Sequence, residues 1–185
     1  LPALLAVDAI SQGELADREG WLERLTAGED YVAAPLADSS LTVANGAGGE
    51  LKLAGRAVAV PSADRASHVL ICATAGNCVA LVPLDREGVK IIASPAWDET
   101  RRLFERGFDG VVLEPALTLA SGPAARVLCR KLAVQRDFAL AADAVGGAAR
   151  SELVLERGSE DLHHRERECA REAVLGRLGP EHGRG

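Results

Sequence analysis

The chain has 185 residues, of which 48% are hydrophobic, and a formal net charge of -6 at neutral pH. This length and apolar content suffice for one domain with a buried core, or for one domain and part of a second. The acidic balance and the lack of a basic tract argue against nucleic acid as a partner, because phosphate recognition needs clustered Lys and Arg. No apolar run approaches the roughly 18 residues of a membrane span, so no membrane partner is expected.

The four cysteines are scattered along the sequence, at Cys72, Cys78, Cys129 and Cys169. They form no C-x-x-C pair, and no histidine stands at ligand spacing from them. This pattern favours buried reduced thiols over a zinc site or a disulfide framework, and it predicts no metal and a cytoplasmic protein. The opening LPALLAV lacks the basic flank of a signal peptide. Because the chain contains no methionine, we expect further sequence before residue 1.

The first 28 residues are predicted to be helical, with a turn near Ser11 and Gly13 and a C-cap at Gly28. Trp21 is predicted to be a core residue rather than part of a cofactor site. The apolar residues at helical spacing are Leu4, Leu5, Val7 and Ile10, followed by Leu15, Trp21, Leu22 and Leu25.

Residues 51–113 read as short apolar runs broken every eight to twelve residues by turn formers, which is typical of an antiparallel sheet or barrel. Asn45 to Gly49 predicts a hairpin turn, since no helix follows it as a phosphate-binding loop requires. His68 is predicted to lie in the core or at its rim. The predicted strands are Tyr31–Pro35, Leu51–Leu53, Ala57–Val60, His68–Cys72, Val79–Pro83, Val89–Ile92, Leu103–Phe104 and Phe108–Leu113.

The remainder of the chain is predicted to be helical. A long alanine-rich helix is expected over Ala124–Arg150, with small residues that let another helix approach. A second, highly charged helix is expected over Glu156–Arg177, and the tail Gly179–Gly185 is expected to be disordered. No nucleophile, metal or phosphate motif appears, so the residues alone predict a strand-rich domain with a long helix.

Several segments, in this order and at these separations, resemble an acyl-CoA dehydrogenase over roughly Leu4 to Arg150. They are WLERLTAGEDYVAAPLADSS, LKLAGRAVAVPSADRASHVLI, VALVPLDREGVKI, DETRRLFERGFDGVVLEPALTL and the alanine-rich helix that ends in AADAVGGAAR. The resemblance implies an α+β fold with a middle antiparallel β-barrel domain between helical parts. On that pattern 1–28 is the end of an N-terminal helical domain, 29–119 the barrel, and 120–185 an incomplete C-terminal helical domain.

The resemblance also implies an activity, the α,β-dehydrogenation of an acyl-CoA thioester with FAD as hydride acceptor. In that family a glutamate removes the α-proton and electrons leave to an electron-transfer flavoprotein. A homo- or hetero-oligomer is implied as well. The family's flavin-contacting Arg and Gln motif and its catalytic glutamate are not visible after Arg150, so the catalytic residue is unknown. Either sequence is absent after Arg150, or the natural protein is truncated.

Two stretches correspond to family segments that line the flavin. The family's Thr-Glu-Pro strand end and Gly-Ser-Asp loop match Ala33-Ala34-Pro35 and Asp38-Ser39-Ser40. The resemblance therefore implies cofactor contacts at Ala33 and Ala34 and a substrate contact at Ser39.

The second stretch, aromatic-Ile-Thr or Ser in the family, is Ala59-Val60-Pro61-Ser62 here. It implies cofactor contacts at Val60, Pro61 and Ser62, while Ala59 replaces the aromatic ring. These departures leave two hypotheses open, a flavin enzyme or a catalytically silent subunit that completes a hetero-oligomer with an active relative. An unrelated β-barrel binding module is a third reading.

Overall fold

The computed structural model describes residues 1–75, 77–94 and 102–177, and for positions 93, 149 and 151–177 it describes the backbone only. The chain divides into two compact units, residues 1–139 and residues 140–185. The described residues of the first unit contain two α-helices, the strands, a short 3-10 helix at Pro115–Leu117 and the start of a long third α-helix. The predicted domain boundaries after residues 28 and 119 stay predictions, and the predicted disordered tail lies outside the described residues.

Two short helices open the first unit, α1 (Pro2–Gln12) and α2 (Arg18–Ala27). α1 ends at Gly13 and α2 at Gly28, whose φ of 75° is left-handed and favours glycine, so both predicted breaks are observed. Trp21 is buried as predicted. The buried stripe of α1 differs slightly from the predicted one, because Leu4 is 51% exposed. The residues that α1 buries are Leu5, Ala6, Ala9 and Ile10.

The strands of the described residues form two four-stranded sheets. In chain order they are β1 (Val32–Ala33), β2 (Ser40–Asn45), β3 (Leu51–Pro61), β4 (His68–Ala73), β5 (Cys78–Pro83), β6 (Val89–Ala93), β7 (Leu103–Val112) and β8 (Thr118–Ser121). The first sheet has the order β1-β4-β5-β8 and the second has the order β2-β3-β7-β6. Only the β1–β4 pair is parallel among these strands; the others are antiparallel. The predicted α+β class is therefore confirmed, but the strands lie in two sheets rather than in one closed barrel.

Four strands differ from the sequence prediction. The runs Leu51–Leu53 and Ala57–Val60 belong to one strand, β3, whose register shifts on both sides of Ala57 without ending the strand. β7 likewise joins two predicted runs. β2 and β8 were not predicted as strands at all. The hairpin turn at Asn45–Gly49 is correct, since Asn45 pairs with Leu51 across it.

Two apolar cores lie on the two faces of the first sheet. The alternation along β4 sends Val69 and Ile71 to one face and Leu70 to the other. The inter-sheet core, between the sheets, contains Ala33, Leu41, Leu53, Ala57, Val60, Val69, Ile71, Ala80, Val82, Phe104, Phe108 and Val111. The helical core, between the first sheet and the helices, contains Leu5, Ala9, Ile10, Trp21, Val32, Leu70, Val79, Leu81, Leu119, Leu128, Cys129 and Leu132.

A third helix, α3 (Gly122–Arg177), follows β8. It includes the predicted helix over Ala124–Arg150 and continues through the segment that was predicted as a second helix. Its first turns bury a stripe into the helical core, formed by Ala125, Leu128, Cys129 and Leu132. None of the helices in the described part of the chain combines the length and apolar character that a membrane span requires.

Candidate functional site

A cavity of about 350 Å³ lies on the helical side of the first sheet. Its apolar wall includes Leu5 of α1, Leu70 of β4 and Leu132 of α3. The polar side chains on its wall are Asp38, Ser39, Cys72, Thr74, Cys129 and Arg136. Apolar walls with a few polar groups are usual for small-molecule sites, and this volume lies near the lower end of their range of about 300 to 1,000 Å³. The cavity is large enough for one ring system or a short chain.

Backbone periodicity explains why these side chains meet. Leu70 and Cys72 are two residues apart on β4, so both lie on the helical face of the first sheet. On α3 the spacing of three or four residues places Cys129, Leu132 and Arg136 along one side of the helix. The segment after β1, which includes Ala34 and Ser39, completes the wall.

Arg136 supplies a positive charge to the cavity wall, and its side chain is only 14% exposed. Its Nε donates to Asp137 Oδ1 at 2.8 Å, and its Nη1 donates to Asp38 Oδ1 at 3.0 Å. The hydrogen bond to Asp137, joined by the one to Asp38, raises the pKa of Arg136 above its ordinary value even though burial lowers it. The guanidinium is therefore a permanent cation that can attract a phosphate or carboxylate.

Two cysteine thiols also line the cavity. Cys72 is half-buried, Cys129 is buried, and neither is in a disulfide. A hydrogen bond between the two thiols, together with burial, raises the pKa of Cys72 well above its ordinary value. The same contact lowers the pKa of Cys129. Cys78 lies instead in the inter-sheet core, where burial raises its pKa to about 11.

Of the residues predicted from the first flavin-like stretch, two line the cavity and one does not. Ala34 is 1% exposed and forms part of the wall, and half-buried Ser39 lies beside it. The Ser39 hydroxyl donates to the carbonyl of Ala37 over a long 3.4 Å, which leaves it available to a ligand. Ala33 is buried in the inter-sheet core on the opposite face of β1.

The second predicted stretch lies outside the cavity. Val60 is fully buried in the inter-sheet core, and Pro61 and Ser62 are half-buried. The Ser62 hydroxyl shares a hydrogen bond with the Tyr31 phenol, so it already has a partner within the chain. The two stretches are nonetheless neighbours, because the Leu36 amide donates to the Ala59 carbonyl at 3.0 Å.

The sequence pattern does not predict four members of the wall, which are Cys72, Thr74, Cys129 and Arg136. Arg136 stands four residues after Leu132 on the predicted helix, so the helical period could have placed it on the buried stripe. Its partner Asp38, however, is distant in sequence, and no local pattern predicts that contact.

A wider hollow of about 850 Å³ contains the buried Arg106, which is 6% exposed. Arg106 Nη2 donates to the Ala63 carbonyl, and Nε has no partner among the described residues. Burial lowers the pKa of Arg106, although nearby Asp64 opposes this effect. The charged side chains of its wall are Asp64, Asp85, Glu87, Arg86 and Arg106. Because acids and bases are mixed there, the hollow selects neither anions nor cations.

No family model matches the chain, and no curated protein matches it. Solved structures do match. A glutaryl-CoA dehydrogenase from Mycobacterium smegmatis in complex with FADH2 superposes with a TM-score of 0.56 at 21% identity, over 69% of this chain and 37% of that chain. Butyryl-CoA dehydrogenase from Megasphaera elsdenii gives a TM-score of 0.58 at 17% identity, over 66% of this chain and 37% of that chain.

A third match is the ChsE4-ChsE5 complex from Mycobacterium tuberculosis, with a TM-score of 0.56 at 19% identity. It covers 76% of this chain and 43% of that chain. The chain thus spans less than half the length of each of these structures. The resemblance found in the sequence is confirmed for the fold: these residues adopt part of the fold of acyl-CoA dehydrogenases.

Proposed function

We propose that this chain is part of an acyl-CoA dehydrogenase-like flavoprotein, which dehydrogenates the α,β bond of an acyl-CoA thioester with FAD as hydride acceptor. The observation that carries the proposal is the cavity at Ala34 and Ser39, because the resemblance assigns flavin and CoA contacts to this segment. The fold supports it, as does the FADH2 bound to the glutaryl-CoA dehydrogenase.

The residues present fit the ring of a flavin rather than the whole cofactor. A cavity of about 350 Å³ accepts a ring system, and its apolar walls at Leu5, Leu70 and Leu132 would exclude water from it. FAD, when bound, would supply the hydride chemistry. Ala34 leaves room for a ring and offers only backbone groups, while Ser39 Oγ and the Arg136 guanidinium would orient a polar or anionic ligand.

The catalytic base is proposed to lie outside the described residues of this chain. Asp38 is the carboxylate among the described residues of the cavity wall, and Arg136 holds it in an ion pair at 3.0 Å. A paired carboxylate at the surface, with 94% of its side chain exposed, is poorly suited to remove a carbon-bound proton.

The exposed apolar residues of α3 support an oligomer or further helices as neighbours. Val127, Val134 and Phe138 are 57%, 65% and 76% exposed and recur at helical spacing. We propose a homo- or hetero-oligomer, an electron-transfer flavoprotein as electron acceptor, and a cytoplasmic location consistent with the free thiols.

A second candidate function is a catalytically silent subunit of a hetero-oligomeric acyl-CoA dehydrogenase. The observation that favours it is the second stretch, where Val60 is buried in the core and the Ser62 hydroxyl is bonded to Tyr31. Neither side chain is then free to hold a flavin. The ChsE4-ChsE5 match is itself a complex of two proteins.

An absorbance spectrum of the purified chain separates the two candidates. A flavoprotein would be yellow, and its flavin would bleach when an acyl-CoA such as butyryl-CoA is added without oxygen. Ser39→Trp should fill the cavity and abolish flavin binding. Ser40→Trp is the matched control, because Ser40 is exposed and does not line the cavity.

A colourless chain that also fails to take up added FAD would overturn the first function. Its recovery together with a yellow partner of the same fold would support the silent subunit. Equal flavin binding by both tryptophan variants would place the flavin elsewhere and refute the assignment of this cavity.

A further inference from the structure

Cys72 and Cys129 converge on one wall of the cavity from two different elements. Cys72 alternates with Ile71 on β4 and faces the helices, and Cys129 belongs to the buried stripe of α3. Both residues lie within the first unit of the chain. Strand alternation and helix periodicity therefore bring together two residues that are far apart in sequence.

The two thiols are neighbours on the cavity wall. Their interaction shifts the pKa of both groups, as expected for adjacent thiols. A disulfide needs a sulfur–sulfur distance of about 2.05 Å, so closure requires the two sulfur atoms to approach each other. Both cysteines line the cavity, so a small reagent that enters it meets this pair.

We propose that Cys72 and Cys129 form a peroxide-sensitive dithiol that closes reversibly to a disulfide on the cavity wall. The oxidant is a small hydroperoxide, of which hydrogen peroxide is the simplest. This modification site does not depend on the proposed flavin function, because the reaction involves only the two side chains and the peroxide.

The chemistry balances in two steps. The Cys129 thiolate attacks one peroxide oxygen, the oxygen–oxygen bond breaks, and hydroxide leaves as the sulfur becomes a sulfenic acid. Cys72 then attacks that sulfur, the sulfur–oxygen bond breaks, and the Cys72 proton leaves with the hydroxide as water. Two thiols and one peroxide give one disulfide and two waters. A dithiol reductant reverses the change.

Cys129 is the better attacking group of the two. The interaction between the two thiols lowers the pKa of Cys129 and raises that of Cys72. Cys129 therefore ionises first, and Cys72 acts as the resolving thiol. Cys78 is excluded from the pair, since it lies in the inter-sheet core and does not line the cavity.

Closure of the disulfide has two expected consequences. It ties β4 to α3 and closes a long loop, which stabilises the folded chain against unfolding. It also draws two wall residues together and narrows the cavity. Oxidation would then restrict the entry of a ligand, and reduction would restore it.

The test uses the full reduced chain, freed of reductant and treated with hydrogen peroxide. The oxidised chain is expected to lose the mass of two hydrogen atoms, and a non-reducing peptide map is expected to join the Cys72 and Cys129 peptides. The midpoint of thermal unfolding should rise by about 10 °C and return after dithiothreitol. Cys72→Ala and Cys129→Ala should each lose the cross-link and the rise, whereas the matched control Cys78→Ala should keep both.

Other results would overturn the proposal. They are retention of four free thiols, accumulation of a sulfinic or sulfonic acid at Cys129, or a cross-link that involves Cys78 or Cys169. If an alanine variant fails to fold, as judged by circular dichroism, the peptide map of the unsubstituted chain still decides.

Discussion

The two cores on either face of the first sheet differ in what they enclose. The inter-sheet core packs apolar side chains such as Leu53, Val60 and Ile71 from both sheets, all of them fully buried. The helical core encloses the cavity, with Arg136 and two thiols on its wall. A filled core stabilises a fold, whereas a core with an internal cavity forgoes some contact energy and can admit a ligand. The comparison predicts that stability resides mainly between the sheets and that a ligand would bind on the helical side.

The largest expected effect compares the same substitution in the two cores. Leu53→Ala, at a site with 0% exposure between the sheets, should lower the free energy of unfolding by about 3–5 kcal/mol. Leu132→Ala should cost only about 2–3 kcal/mol, because Leu132 already borders the cavity and makes fewer contacts to lose. Urea denaturation of both variants measures the difference. Equal losses, or a larger loss at Leu132, would contradict the division between the cores.

A smaller effect is expected at the backbone of β3, beside the inter-sheet core. Gly55 has a φ of 117°, and a Cβ there would collide with the carbonyl oxygen of Ser40 on β2. Gly55→Ala should therefore destabilise the chain by about 3 kcal/mol. Gly28→Ala is the control, since its φ of 75° is also left-handed but nothing lies within 4 Å of its Cβ position. Gly28→Ala should lower the free energy of unfolding by about 1 kcal/mol, measured by urea denaturation as above. A larger loss in Gly28→Ala than in Gly55→Ala would contradict this explanation.

The strand pattern explains how much of the arrangement around the two cores the sequence could predict. Glycine marks the true ends of elements at Gly28 and Asn45–Gly49, so the end of α2 and the hairpin turn were predicted correctly. Inside β3, however, Gly55 and Ala59 adopt positive φ values of 117° and 51°, which produce irregularities and not turns. Sequence reasoning interpreted that glycine as the end of a strand because a bulge and a turn share the same residue preference.

The cavity was less predictable than the strands. The resemblance pointed to Ala34 and Ser39, which do line it. Ala33 could not be distinguished from Ala34 by composition, since only the backbone alternation from the end of β1 into Ala34 sends them to opposite cores. Arg136 lies far along the chain from Asp38, and tertiary packing alone creates that contact.

Arg136 provides a test of the helical side as a binding surface. If the cavity takes an acyl-CoA, Arg136→Gln should weaken butyryl-CoA binding about tenfold, or about 1.4 kcal/mol, because it removes a charge-assisted contact. Stability should change by less than about 1 kcal/mol, since both carboxylate partners of Arg136 are exposed at the surface. Titration calorimetry measures the affinity. Arg130→Gln is the matched control, because Arg130 is exposed on the same helix, and equal affinities of the two variants would exclude Arg136 from binding.

The smallest expected effect is a pH dependence of stability that arises from His68, at the edge of the helical core. The His68 ring meets the Trp21 ring edge-on, with 4.8 Å between the two ring centroids. Burial lowers the pKa of His68 below its ordinary value, although Asp30 and Asp85 oppose the change. The unfolded chain therefore binds more protons than the folded chain once the pH falls below about 6.5. The stability that neutral His68 contributes is fully present above that pH and is lost as the pH decreases towards the pKa of His68 in the folded chain.

We expect the midpoint of thermal unfolding to fall by a few degrees between pH 7.5 and 5.5. His68→Phe keeps an aromatic ring against Trp21 but cannot titrate, so it should reduce that fall, whereas an unchanged fall would locate the titrating group elsewhere.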